Sequence, residues 1–274
     1  MSSIRTAVAQ IDIQLFDASA NTKSAVQAVT EAADADCQLV VLPELANAGY
    51  ITTWSADFAR DYYRNAETVP GPFTKSLIEA AGRTKTHVVI GIAERDPKID
   101  GLLYNTALLI TPAGEVHRHR KIHLPREEKR YFGEGDRLEP FPTALGRIGL
   151  LICADNSFPE AARLLSLRGA QLLAIPYAAE RKTNTVLYQQ MAAIRAYENQ
   201  VFVAFANRCG RQGEVIFAGT SSIAGPDGTV LAELGGEPGM AWADLDLELI
   251  VSERLKQTRY RDRRPALYQD IARP

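Results

Sequence analysis

Apolar positions along the chain fall into two alternating patterns. Short continuous apolar runs, bounded by turn residues, have the form of strands buried on both faces. Longer stretches with apolar residues three and four apart have the form of helices lying against them. Strands are predicted at 4–11 (IRTAVAQI), 38–44 (QLVVLPE), 87–95 (HVVIGIAER), 148–152 (IGLLI), 171–178 (QLLAIPYA), 201–208 (VFVAFANR) and 240–247 (MAWADLDL). Helices are predicted at 21–36, with Val26, Val29 and Ala33 on one face, at 71–86 ending near Gly82, at 158–170 and at 183–200. Two hairpins interrupt the alternation, one over 103–122 turning at Pro112-Ala113-Gly114 and one over 221–234 turning at Pro226-Asp227-Gly228. Residues 45–63 form a loop rich in aromatics, and a basic tail over 256–269 packs on a neighbour or stays exposed. Strands and helices interrupted by hairpins suit a two-sheet sandwich covered by helices better than a parallel barrel. With no linker, short repeat or low-complexity segment, one domain over 1–274 is expected.

Composition narrows the classes. The 274 residues are 46% hydrophobic and 23% charged, enough for one large α/β domain. Lys and Arg number 31 against 33 Asp and Glu, spread along the chain, which argues against a nucleic-acid partner. No apolar run approaches the roughly 20 residues of a membrane span, and MSSIRTAVAQID passes into strand pattern without a signal-like apolar region. Three cysteines make no disulfide framework. A cytoplasmic protein without membrane or nucleic-acid partners is expected.

One segment then raises a chemical question. In GRIGLLICADNSFPE, residues 146–160, an apolar run ends on Cys153. Ser157-Phe158-Pro159-Glu160 has the form of a capping box, with Ser157 capping the next helix and Glu160 reaching back. Cys153 is thus expected between a strand end and a helix N-terminus, where sites gather in α/β folds and where the helix dipole favours a thiolate. The alternative for a free cysteine is inert packing. Two more groups stand near strand ends, Glu44 after VVLPE and Lys121 in RHRKIHLP. Alone, each reads as a loop or surface residue. Together the three complement one another. A cysteine nucleophile needs a proton acceptor, and the tetrahedral intermediate of an amide needs positive charge at its oxygen.

The segments VVLPEL…GY, RKIHL and GLLICADNSFPE resemble, in order and spacing, the three signature segments of the nitrilase superfamily of carbon–nitrogen hydrolases. Five connecting blocks, YNTALLITPAGEV, EKRYFGEGD, RGAQLLAIPYA, AIRAYENQVFVAFAN and GTSSIAGPDGTVLAELGGEPGMAWADLD, extend the resemblance over most of the chain. It implies a four-layer αββα sandwich, two mixed sheets flanked by helices, in subunits that pair into a homodimer or assemble further. It implies no metal and no organic cofactor. It places a catalytic triad on Glu44, Lys121 and Cys153, and a second glutamate on Glu128, with adjacent Glu127 as the alternative. In the implied reaction Glu44 takes the thiol proton as Cys153 attacks. Lys121 and the Ala154 N–H hold the oxyanion. Glu44 protonates the leaving ammonia and then activates water. Asp155 fixes the turn through hydrogen bonds rather than acting as a base.

The substrate expectation follows from the residues beside the cysteine. Nitrilases of the superfamily typically have Cys-Trp-Glu, whereas this chain has Cys153-Ala154-Asp155, which is similar to the amidase and carbamoylase branches. Acid-recognising branches carry an arginine a few residues on, and Asn156-Ser157 stand there instead. Without that fork a buried substrate carboxylate is under-compensated. An amidase acting on a small neutral carboxamide is expected, with an N-carbamoyl amide hydrolase or nitrilase as the alternative and a non-catalytic binding module as a second. Arg181 is a candidate source of the missing charge. Tyr50, Trp54 and Tyr177 are candidate pocket residues, with packing an equal reading. His117, His119, Lys121 and His123 would share one face of a strand, but no Cys or carboxylate ligand pattern accompanies them. Cys37 and Cys209 have no such surroundings, and GRQGE lacks the strand and helix of a nucleotide loop.

Overall fold

A computed structural model describes residues 3–181 and 186–272. In chain order its elements are β1 (Ile4–Gln10), α1 (Ala18–Asp34), β2 (Leu39–Val41), α2 (Ala56–Asn65), α3 (Pro72–Thr84), β3 (His87–Arg95), β4 (Leu103–Ile110) and β5 (Val116–Arg120). There follow β6 (Phe141–Thr143), β7 (Gly146–Leu150), α4 (Pro159–Leu167), β8 (Leu172–Tyr177), α5 (Leu187–Asn199) and β9 (Phe202–Asn207). The last are β10 (Arg211–Gln212), β11 (Val215–Ile216), β12 (Ser222–Ala224), β13 (Val230–Glu233), β14 (Gly239–Leu245) and α6 (Glu248–Lys256). The predicted start of α5 at 183–185 lies outside the described residues.

Two six-stranded mixed sheets run β14-β1-β2-β3-β4-β5 and β13-β12-β9-β8-β7-β6. Each has a parallel centre, β1-β2-β3 and β7-β8-β9, with antiparallel strands at its edges. The continuous apolar runs divide by parity between two cores. Leu39 and Val41 enter the core between the sheets, with Val89, Ala107, Ile148, Leu150 and Phe202. Val40 faces outward onto α1 and α3, with Ala28, Phe73, Leu77, Ile90 and Ile92. On the other outer face Ala161, Leu165, Ala192 and Ala196 of α4 and α5 cover Leu173, Ile175, Val203 and Phe205. The layers are therefore helix, sheet, sheet, helix, the sandwich expected from the hairpin-interrupted pattern. Among the described residues no helix is long and apolar enough to cross a membrane.

Several local expectations are corrected. α1 begins earlier than predicted, because Asp17 caps it by accepting the Ala20 N–H at 2.9 Å. Its buried face is Ala25, Ala28, Val29 and Ala32, and Ala33 lies beside it, half-buried. α3 runs past Gly82 and ends at Lys85, which adopts φ +58°. The aromatic loop contains α2, capped by Ser55, whose few apolar residues are aromatic rather than an aliphatic stripe. Phe58 and Tyr62 pack on Tyr131, and Tyr62 also on Phe132. The Ser157 capping box does not form. Pro159 opens α4, but Phe158 precedes it without a side-chain cap, and Cys153–Ser157 forms a separate 3₁₀ turn. In the basic tail Arg259 stacks on Tyr197 and Tyr260 donates to the Asn199 carbonyl, so its first part is tied to α5.

Candidate active site

The site is built where loops leave the two sheets. Glu44 follows β2, and its N–H donates across the sandwich to the Tyr177 carbonyl at 3.3 Å. It rests on Gly91 of β3, where a Cβ would come within 2.5 Å of the Glu44 Cα. Lys121 follows β5, and its N–H donates to the Asn105 carbonyl at 2.8 Å. Glu128 lies on the 3₁₀ turn Arg126–Arg130. Glu44 and Lys121 are fully buried and Glu128 nearly so. Lys121 Nζ donates to Glu44 Oε1 at 2.7 Å and to both Glu128 oxygens at 2.8 and 2.9 Å. Asn105 Nδ2 donates to Glu44 Oε1 at 2.7 Å and to Glu128 Oε2 at 3.1 Å. Glu44 Oε2 is buried and, among the described residues, has no hydrogen-bond partner.

The charges are unevenly balanced. Burial alone would lower the Lys121 pKa, but the two carboxylates and the neighbouring cysteine hold it well above the usual lysine value. Burial raises Glu44 above the ordinary carboxylate range. Lys121 opposes that shift and the like charge of Glu128 adds to it. Cys153 adopts φ +45° at the start of its turn, and it lines one cavity with Ala178. Its pKa is raised well above the usual thiol value, first by burial and then by the Glu44 carboxylate. Burial and the Glu44 charge thus oppose the thiolate that the turn is expected to favour. A turn of five residues has little dipole to set against desolvation and two carboxylates.

One carboxylate ties the two chain segments together. Asp155 Oδ1 accepts from the N–H groups of Ile122 and His123 at 3.2 and 2.9 Å, and from His123 Nδ1 at 2.9 Å. Asp155 Oδ2 accepts from the Ile152 N–H and from His119 Nε2, both at 3.1 Å. The backbone just after Lys121 and just before Cys153 thus shares one anchor. Burial opposes the Asp155 charge, but the histidines and backbone donors hold its pKa below the usual range. His119 and His123 converge on Asp155, while His117 stacks on Phe141. His117 and His119 share the inner face of β5 as strand alternation predicts, while His123 reaches Asp155 from the loop beyond Arg120.

A cavity of about 340 Å³ opens over Cys153. Tyr50, Tyr177, Ala154 and Glu128 line it, so two of the three candidate pocket aromatics stand at the cavity with the cysteine. Tyr50 Oη donates to Glu128 Oε1 at 2.7 Å. Tyr177 packs on Phe205 and Tyr188. Trp54 does not line the cavity and packs on Tyr131. Arg181 is exposed and does not line it either. Glu127 reaches the rim and pairs with Arg130 at 3.1 Å, leaving Glu128 as the Lys121 partner. Arg126, Glu180, Tyr188 and Phe217 line the cavity without having been singled out in the sequence. Only Arg126 carried a signal, its position two residues before Glu128. Cys37 and Cys209 are buried elsewhere, their thiols pushed up to about 11 by burial.

The chain is similar to known proteins over most of its length. The family model described as carbon-nitrogen hydrolase matches residues 5–254. A nitrilase from Pyrococcus abyssi is 34% identical over 97% of this chain and 99% of its own. Omega-amidase NIT2 from Bos taurus is 32% identical over 98% of each chain. Among solved structures, a glutamate-to-glutamine variant of the amidase from Nesterenkonia sp. AN1 superposes with a TM-score of 0.78 at 29% identity, covering 98% of this chain and 97% of that one. It carries the acetamide moiety of fluoroacetamide added covalently at its active-site cysteine.

Proposed function

We propose that this chain, which belongs to the carbon–nitrogen hydrolase family, is an amidase that hydrolyses a small neutral carboxamide to the carboxylic acid and ammonia through a thioester on Cys153. The observation that carries the reading is the unequal use of the two Glu44 oxygens. Oε1 is occupied by Lys121 and Asn105, and Oε2 is buried and, among the described residues, has no hydrogen-bond partner, while the Glu44 charge is close enough to Cys153 to act on its thiol. A buried acceptor left without a donor costs stability, and a catalytic role is one reason for a fold to keep it.

In the proposed reaction Oε2 takes the thiol proton as the sulfur attacks the carbonyl carbon. The carbonyl π pair moves to oxygen, where the Lys121 ammonium and the Ala154 N–H hold it. The carbonyl re-forms, the C–N bond breaks, and Glu44 returns the proton to the departing ammonia. Water then attacks the thioester while Glu44 takes one of its protons, the C–S bond breaks, and the thiol regains its proton. Lys121 remains charged throughout, in keeping with its raised pKa.

One lysine between two glutamates gives the buried floor a net negative charge, which disfavours a substrate carboxylate near the reacting carbon. Tyr177, Tyr188 and Phe217 offer ring surface to an apolar substituent. A second reading rests on Arg126, which lines the rim and, among the described residues, has no ion pair or hydrogen bond. An amide long enough to place a distal carboxylate there would be bound, and the name of the mammalian relatives supports that alternative. The expected homodimer belongs to the same proposal. Val251 and Leu255 of α6 and Leu267 beyond it are exposed apolar side chains that association would cover.

The test compares kcat/KM for a neutral amide, its ω-carboxylate analogue, the matching nitrile and an N-carbamoyl amino acid, with intact mass spectrometry to capture an acyl adduct on Cys153. The neutral amide is expected to lead. A tenfold lead for the ω-carboxylate, about 1.4 kcal/mol in transition-state binding, that is abolished by Arg126→Ala would establish the second reading instead.

A further inference from the structure

A second buried cation stands behind the Tyr50 wall of the pocket. Arg208, just past β9, is fully buried, and its guanidinium lies 3.8 Å from the centroid of the Phe217 ring. Arg208 Nη2 donates to the Ile13 carbonyl at 2.6 Å, and Nη1 donates to Gln212 Oε1 at 2.9 Å. The carboxylate paired with it, Asp12, is 3.5 Å away and partly exposed. Burying a cation with so distant a counter-charge is costly, and a structural role for the β10–β11 hairpin alone does not require it.

What Arg208 holds is more informative. Gln212 Oε1 also accepts the Tyr50 N–H at 3.0 Å, and Gln212 Nε2 donates to the Tyr50 carbonyl at 2.6 Å. One side chain therefore satisfies both backbone groups of a pocket residue. Preceding residue Gly49 has φ +87°, and a Cβ there would lie 3.1 Å from Gln212 Oε1, so glycine permits the approach. Phe217, on the far side of the hairpin, packs edge-on against the Tyr50 ring at 5.9 Å. Tyr50 is thus fixed at both backbone and ring, and its hydroxyl donates to Glu128 Oε1, the oxygen that also takes Lys121 at 2.8 Å. The contacts run unbroken from Arg208 through Gln212, Tyr50 and Glu128 to Lys121.

We infer that Gln212, held in place by Arg208, is a positioning residue for the hydrolytic site. It fixes the Tyr50 backbone so that the Tyr50 hydroxyl holds Glu128, and Glu128 aims the Lys121 ammonium at the reacting carbonyl. Neither Gln212 nor Arg208 lines the pocket, so neither touches the substrate. The inference rests on the amidase reading, and its test separates the two.

The experiment is a double-mutant cycle of Gln212→Met and Tyr50→Phe. It is read by kcat and KM on an amide, by the rate at which iodoacetamide alkylates Cys153, mapped by peptide mass, and by Tm. Cys37 and Cys209 are buried, which keeps the alkylation signal on Cys153. Gln212→Met is expected to lower both kcat and the alkylation rate about tenfold, with KM changed less than about threefold. Once Tyr50→Phe is present, Gln212→Met should change either rate by less than about twofold, because the hydroxyl it positions is gone. Gln212→Glu keeps the acceptor for Arg208 and the Tyr50 N–H but loses the donor to the Tyr50 carbonyl, so it should recover only part of the rate. If the methionine variant does not fold, Gln212→Asn, too short for both Tyr50 contacts, serves in the same cycle. The same fold-loss in both backgrounds, or a lower Tm with unchanged rates, overturns the inference. If no amide is turned over by the wild type, the amidase reading fails while the alkylation cycle still decides the positioning role.

Discussion

Glu44 and Glu94 are both buried carboxylates paired with cations near the end of β5, yet they have opposite surroundings. Side chains alternate along β4 and β5, so Asn105 and Lys121 point between the sheets while neighbouring Thr106 and Arg120 point outward. On the outer face Glu94 is satisfied at both oxygens. Oε1 accepts from Arg118 and Arg120 at 3.3 and 2.9 Å, and Oε2 accepts from Thr106 and Arg120 at 2.6 and 3.2 Å. Arg120 also stacks on Tyr104 at 3.5 Å, and both arginines reach water. On the inner face Glu44 shares its lysine with Glu128, which lines the cavity, and among the described residues one Glu44 oxygen has no hydrogen-bond partner. A buried charge whose every lone pair is used stabilises its surroundings. One left incomplete beside a nucleophile is available for proton transfer.

The largest expected effect separates the two carboxylates. Cys153→Ala and Glu44→Gln should each lower the rate of ammonia release by about a thousandfold or more, and the double variant should lose little further, because the groups act as one unit. A Glu44→Gln enzyme within tenfold of wild type would break the comparison. Glu94→Gln should do the reverse. It is expected to cost about 2 kcal/mol of stability, since it leaves two arginines without their carboxylate, and to lower Tm by about 5 °C in thermal unfolding. At 25 °C its kcat should stay within about threefold of wild type.

The smallest effect is a shift in pH dependence. Glu44 must be ionised to accept the thiol proton, and its pKa is raised. Activity should therefore fall, as pH drops, at a value above the roughly 4.3 of an ordinary glutamate. Lys121 and the Cys153 thiol are both shifted upward, so the plateau should extend beyond about pH 9 before either loses its proton. Glu128→Gln removes a like charge and should move the acid limb of kcat/KM to lower pH, whatever it does to the maximal rate. Glu94→Gln should leave that limb in place, and a shift there would show that the two clusters are electrically coupled.

Much of this is legible in the sequence, but in a particular way. Continuous apolar runs reveal strands buried on both faces, and the two glycine turns at Gly114 and Gly228 mark the hairpins. Functional groups beside strand ends stand out because apolar runs stop at them. α2 escaped because its packing surface is aromatic, and α6 because its buried residues, Ile250 and Glu253, make no apolar stripe. A dipole can be read from local sequence, whereas the desolvation that opposes a Cys153 thiolate depends on what lies above the turn.

Sequence alone determined the layer order, the family resemblance and the positions of Glu44, Lys121 and Cys153 beside their strands, because hydrophobic period and short motifs are local properties. Tertiary structure decided which atoms meet. It selected Glu128 over Glu127 for Lys121, left Glu44 Oε2 without a hydrogen-bond partner among the described residues, kept Arg181 and Trp54 out of the pocket and joined Gln212 to Tyr50 across 162 positions. Contacts of that kind depend on the approach of separately folded segments and on the water they exclude. No local run of residues encodes either.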